Sequence, residues 1–84
     1  MSIREKKDAD FSVDVLKVFK SERVDARNRI DLRIVKWKKA HKATLEKRRV
    51  WEKDGVERPS KSVGLTAEDV RFIFENYKEI ANLL

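Results

Sequence analysis

The sequence predicts an α+β domain in the order β-β-β-β-α. Three observations carry this reading. Residues 30–37 (IDLRIVKW) alternate in side-chain type with a strict period of two, and their β-branched content suits a strand. Residues 66–84 place Val70, Ile73, Phe74, Tyr77, Ala81 and Leu84 at helical spacing behind a Thr-Ala-Glu-Asp start. Between them, Lys53-Asp54-Gly55 and Pro59 punctuate two further short stretches with turn chemistry. The chain has 84 residues, which is room for one domain.

Residues 1–10 are charged from Arg4 onward and no apolar segment of signal-peptide type follows them. They read as a mobile tail, which leaves residues 11–84 as the single domain. In residues 11–19 (FSVDVLKVF), Phe11, Val13 and Val15 alternate with Ser12 and Asp14. The parity then shifts to Leu16 and Val18, which predicts a strand with a bulge or sharp bend near Val15 and Leu16. Residues 21–28 are polar and read as a turn. Residues 30–37 form the second strand, and residues 38–42 (KKAHK) a short basic connection.

Residues 43–51 (ATLEKRRVW) have enough helix propensity to be a helix, but their apolar positions do not follow a helical period. Leu45 and Trp51 fall on one strand face, Thr44 and Val50 on the other, so a third strand is expected. Gly55 supplies the positive φ of the next turn. Pro59 suits a strand edge or start, and Val63 and Leu65 are the expected inward residues of a short fourth strand. In the final helix, Thr66 and Asp69 match a capping box, and Glu68 and Asp69 lie at the positive end of the helix dipole. Phe72, Ile80 and Leu83 form a second apolar stripe. Either a partner helix covers one stripe, or both form one wide core face.

Composition narrows the function. There is no cysteine and a single histidine, His41, so no disulfide, metal cluster or cofactor is expected. No apolar run nears the roughly 18 residues of a membrane span. The expectation is a soluble cytoplasmic protein, or a nuclear one if eukaryotic, with no membrane partner. No phosphate-binding glycine loop, dinucleotide-binding glycine motif or serine–histidine–acid set stands out, so binding rather than catalysis is expected. A domain this short often gains stability by self-association.

The net charge of +6 is unevenly spread. Residues 33–61 carry 11 basic and 4 acidic side chains, a net of +7, whereas residues 1–32 carry +1 and residues 62–84 carry −2. A localised basic stripe is the footprint of a polyanion partner, although it also serves as a solvated face. Trp37 lies in Val-Lys-Trp-Lys-Lys, and Trp51 closes Lys-Arg-Arg-Val-Trp. Cations that track phosphates beside aromatic faces that stack on unpaired bases are what single-strand binding requires. The competing reading makes both tryptophans core anchors. Arg33 shares strand parity with Trp37, and Lys47 and Arg49 share it with Trp51. If both rings face one groove, these three point into it, with Lys36, Lys38, Lys39, Lys42, Arg58 and Lys61 at its ends.

The chain also resembles a known family. Residues 30–37, Arg48-Arg49-Val50-Trp51, Lys53-Asp54-Gly55, residues 58–65 (RPSKSVGL) and the acidic helix start Glu68-Asp69 follow each other as in the positive cofactor 4 family of transcriptional coactivators and its short bacterial and phage relatives. The match spans residues 28–84. Ser62 departs from a usual glycine, Lys47 from a usual apolar residue, and the loop at residues 38–42 is its own. The resemblance implies a curved four-stranded antiparallel sheet backed by one C-terminal helix, with two chains paired through their helices. Phe72, Tyr77, Ile80, Leu83 and Leu84 are the expected dimer contacts. It further implies a groove for single-stranded DNA, with Trp37 and Trp51 as stacking platforms. Lys38, Lys42, Arg48, Arg58 and Lys61 would be phosphate contacts.

The expected function is therefore homodimeric single-stranded DNA binding with little sequence preference, in transcription regulation, replication or repair, with RNA as the alternative ligand. Rival expectations are a duplex-binding regulator and a protein-interaction module that docks on transcription or replication machinery.

Overall fold

The computed structural model describes residues 13–84. The expected tail at residues 1–10, and Phe11 and Ser12 of the first strand, lie outside them. Four strands, β1 (Val13–Arg23), β2 (Asn28–Trp37), β3 (Thr44–Lys53) and β4 (Val56–Ser62), form one antiparallel sheet in sequential order. Two helices follow, α1 (Ala67–Glu75) and α2 (Tyr77–Leu83).

The parity shift in the first strand is a bulge. Pairing with β2 slips between Val15 and Lys17, and slips again between Val18 and Lys20. Each inserted residue resets the alternation, so Val15 and Val18 share a face although their numbers differ by three. The second inserted residue, Phe19, meets Phe72 of α1 edge-on with ring centroids 6.1 Å apart. The β2–β3 register is unbroken from Asn28 opposite Trp51 to Val35 opposite Thr44. The tight β3–β4 turn has positive φ at both Asp54 (53°) and Gly55 (79°), as a two-residue hairpin turn demands. The fourth strand ends at Ser62. Val63 and Leu65, expected inside it, follow it instead: Val63 still donates its N–H to the Lys47 carbonyl, but the chain then leaves for the helix cap.

Register sorts the sheet into two faces. Leu32, Ile34, Lys20 and Lys47 share one face, which meets the helices through Lys20, Lys47 and Asp69. Asp31, Arg33 and Val35 share the other with Ser21, Glu46 and Arg48. The five residues 31–35 are all buried, so β2 is covered on both sides, beyond the one core face that its alternation implied. The core is small: Leu32, Ile34, Val35, Val50 and Ile80.

The helix start behaves as its sequence suggests. Thr66 caps α1 and accepts from Asp69 N, while the Asp69 carboxylate accepts from Thr66 N. The single expected helix is interrupted at Asn76, whose φ of −115° and ψ of 22° leave the helical region. Its side-chain amide donates to the Phe72 carbonyl at 2.9 Å, so a short polar side chain competes with the backbone ladder.

Candidate nucleic-acid interface

Trp37 closes β2 on the face that carries Arg33, Glu46 and Arg48. Its indole Nε1 donates to Glu46 Oε1 at 3.1 Å, and the Arg48 guanidinium lies 5.0 Å from the ring centroid. Arg33 Nε and Arg48 Nε both donate to Glu46 Oε2, at 3.2 and 2.9 Å. One carboxylate therefore fixes the indole and two guanidinium groups. Burial pushes the Glu46 carboxyl up, but the hydrogen bonds from Arg48 and Trp37 and the charges of Arg48 and Arg33 outweigh it. The net direction is below the usual carboxylate range. Arg48 also donates to the Ser60 carbonyl at 2.7 Å, which ties β3 to β4.

Ion pairs continue across this face. Asp31 accepts from Ser21 at 2.7 Å and from Arg29 at 3.1 Å, and Arg29 reaches Glu57 at 3.0 Å. The hydrogen bond to Glu57 is the largest cause holding Arg29 above its ordinary pKa. Arg29, Arg33 and Arg48 thus meet Asp31, Glu46 and Glu57, and the face is close to self-neutralised. Arg33, expected in the groove, is 3 % exposed, and its Nη2 is buried without a hydrogen-bond partner among the described residues.

One group of unpaired cations lies around the β2–β3 turn. Lys38, Lys39, His41 and Lys42 are exposed, Lys36 is half-buried, and none of the four lysines makes an ion pair among the described residues. The backbone closes the turn where Ala40 donates to the Trp37 carbonyl at 2.9 Å. A half-buried aromatic at the base of a lysine-bearing turn is one candidate contact for a polyanion.

Trp51 stands elsewhere. It pairs with Asn28 in β2 and with Arg58 in β4. Asn28 and Trp37 are nine residues apart on β2, an odd interval, so Trp37 and Trp51 project from opposite faces. At roughly 3.3 Å per residue they are also separated by about 30 Å along the strands. The two rings do not line one groove within a protomer. Arg49 and Lys47 do share the Trp51 face, as expected. Arg49 donates to Asn28 Oδ1 at 3.3 Å, whereas Lys47 is committed to Asp69 at 2.5 Å and is not free for a phosphate. Arg58 and Lys61 are exposed.

The helix residues divide differently from the two expected stripes. Phe72, Ile73 and Leu83 are half-buried and Ile80 is 4 % exposed within the protomer. Phe72, Ile80 and Leu83 are therefore spent at least partly inside the protomer. Tyr77 (66 % exposed) and Leu84 do stand outward, together with Val70 and with Phe74, which is 81 % exposed. Phe74 is absent from the expected contacts, yet it lies four residues after Val70 and three before Tyr77, a spacing readable in the sequence.

The architecture defines a small, mostly β domain with helices at its C-terminus, a basic aromatic patch at each end of the sheet and an unpartnered apolar helix face. No protein-family model, curated protein or solved structure matches the chain. Among the described residues, no helix is long and apolar enough to cross a membrane, and no three metal-ligating side chains cluster.

Proposed function

We propose that this chain binds single-stranded nucleic acid, DNA foremost, with little sequence preference, and that it does so as a homodimer. The observation that carries the reading is Trp37, held by Glu46 and Arg48 at the base of a turn whose Lys36, Lys38, Lys39 and Lys42 are unpaired among the described residues. An immobilised indole loses little freedom when a base stacks on it, and the lysines supply a sequence-independent attraction for phosphates. The role proposed is binding rather than catalysis, in transcription regulation, replication or repair. Kinship with the positive cofactor 4 family is part of the proposal, on the residues named above.

The homodimer is proposed through Val70, Phe74, Tyr77 and Leu84, an outward apolar stripe at helical spacing. The same stripe supports a second reading, in which a foreign protein covers it and the free chain is monomeric. Sedimentation of the isolated protein separates the two.

The test of binding is titration of Trp37→Ala with oligothymidine, beside duplex DNA of equal length. Loss of one stacked base weakens single-strand binding by roughly 1–3 kcal/mol. Unchanged affinity in a folded variant, or equal affinity of the parent protein for duplex, overturns the proposal.

A further inference from the structure

We infer that each chain carries two separate single-strand sites, one around Trp37 and one around Trp51, so that one chain holds two strands at once. This rests on the single-strand reading and adds to it. The unbroken β2–β3 register sends the two rings to opposite faces and about 30 Å apart along the strands.

The second patch has its own cations. Arg58 is directly opposite Trp51 in β4 and exposed, and Arg49 lies two residues before Trp51 on the same face. Arg27 and Lys53, both exposed, border an open cleft of about 400 Å³ at this end of the sheet. Neither forms an ion pair among the described residues.

Among the described residues, no continuous cationic track joins the patches. On one face, Arg29, Arg33 and Arg48 are neutralised by Asp31, Glu46 and Glu57. On the other, α1 sets the carboxylates of Glu68 and Asp69 against Lys20 and Lys47. A polyanion crossing either face meets compensated charge, whereas each end offers free cations beside an indole. Two strands held at opposite ends of one chain are brought within one protein diameter of each other, and this is the physical requirement for bridging or annealing strands.

The test is calorimetric stoichiometry with oligothymidine of about four nucleotides, the short end of single-strand site sizes. Counting per chain makes the answer independent of dimerisation. Two oligonucleotides per chain are expected, falling to one in Trp37→Ala and to one in Arg58→Glu, an exposed position whose reversal leaves the Trp37 end intact. Single-tryptophan variants, Trp37→Phe and Trp51→Phe, should each show quenching of the remaining indole, with circular dichroism confirming the fold. One oligonucleotide per chain overturns the inference, whichever tryptophan responds. Quenching of Trp37 with a silent Trp51 also overturns it but leaves the proposed function standing, and the absence of binding at both ends overturns the two together.

Discussion

Replacing the buried Asp69 by alanine should strongly destabilise the domain. The carboxylate accepts from Lys47 Nζ at 2.5 Å, Thr66 N at 2.9 Å and Thr66 Oγ1 at 3.0 Å, and lies 3.6 Å from Lys20 Nζ. It is only 4 % exposed and joins β1, β3 and the helix start. The Thr66 hydroxyl still caps the backbone N–H of residue 69, but losing the reciprocal bond from Thr66 N to the carboxylate costs about 1 kcal/mol. Leaving the part-buried Lys47 ammonium without its partner costs about 2 kcal/mol more. A domain of this length is stable by roughly 4–12 kcal/mol, so a loss of about 3 kcal/mol lowers Tm by roughly 12–24 °C. Urea unfolding followed by circular dichroism measures this, with Lys47→Met and the double variant completing a cycle. The hydrogen bond from Lys47 is the largest cause holding the Asp69 carboxyl well below the usual range, and the Thr66 backbone adds to it. Its contribution is therefore fully present above the unfolded value of about 4 and fades as pH falls below it, because there the unfolded chain binds the proton first. The wild-type and variant curves should converge in acid. A loss under about 0.5 kcal/mol at neutral pH, or curves that stay parallel into acid, refutes this account of the joint.

Three further outcomes are expected. Glu46→Ala frees the Trp37 indole and strands the buried Arg33 guanidinium, costing about 3 kcal/mol in urea unfolding and shifting the indole emission. Phe74→Glu should convert a sedimenting dimer to monomer while changing the stability of the protomer by less than about 0.5 kcal/mol, since the ring is 81 % exposed. Lys38→Ala combined with Lys42→Ala should flatten the dependence of log affinity on log salt by about 1.4, the value for two phosphate contacts on a single strand.

The local signals in the sequence were legible where one short segment determines the outcome. Thr66 and Asp69 are three residues apart and form the capping box that their types permit, and Asp54-Gly55 adopts the positive φ values of a tight hairpin turn. The shifted parity after Val15 is a bulge, as expected. What was not legible depends on pairing between segments. Parity within β2 and within β3 correctly groups Arg33 with Trp37, and Lys47 and Arg49 with Trp51. Whether those groups share a face is decided by cross-strand register, which the turn lengths and bulges set together. Glu46 lies opposite Arg33 and two residues before Arg48, so one acid of a mostly basic strand becomes the partner of both. Lys47, expected in the groove, is instead engaged by Asp69 reaching it from the helix start, a long-range partner that parity does not reveal. The helix periodicity, read as one continuous segment, missed the break at Asn76, and with it the division that turns Phe72 and Ile80 inward and Phe74 outward.

The slips in β1 and the placement of Pro59 also bound how large this sheet can grow. Among the described residues, β1 and β4 are the strands that have a side without a neighbour. On β1 two inserted residues break the regular spacing of outward N–H and C=O groups, and Lys17 and Lys20 stand beside the break. On β4 Pro59 has no N–H to offer, and the pairing with β3 slips between Arg48 and Val50. Neither border presents an uninterrupted template for a fifth strand, despite the exposed Val15, Leu16 and Val18. Strand pairing between copies through either border is thereby disfavoured, so the sheet is expected to stay at four strands even at high protein concentration.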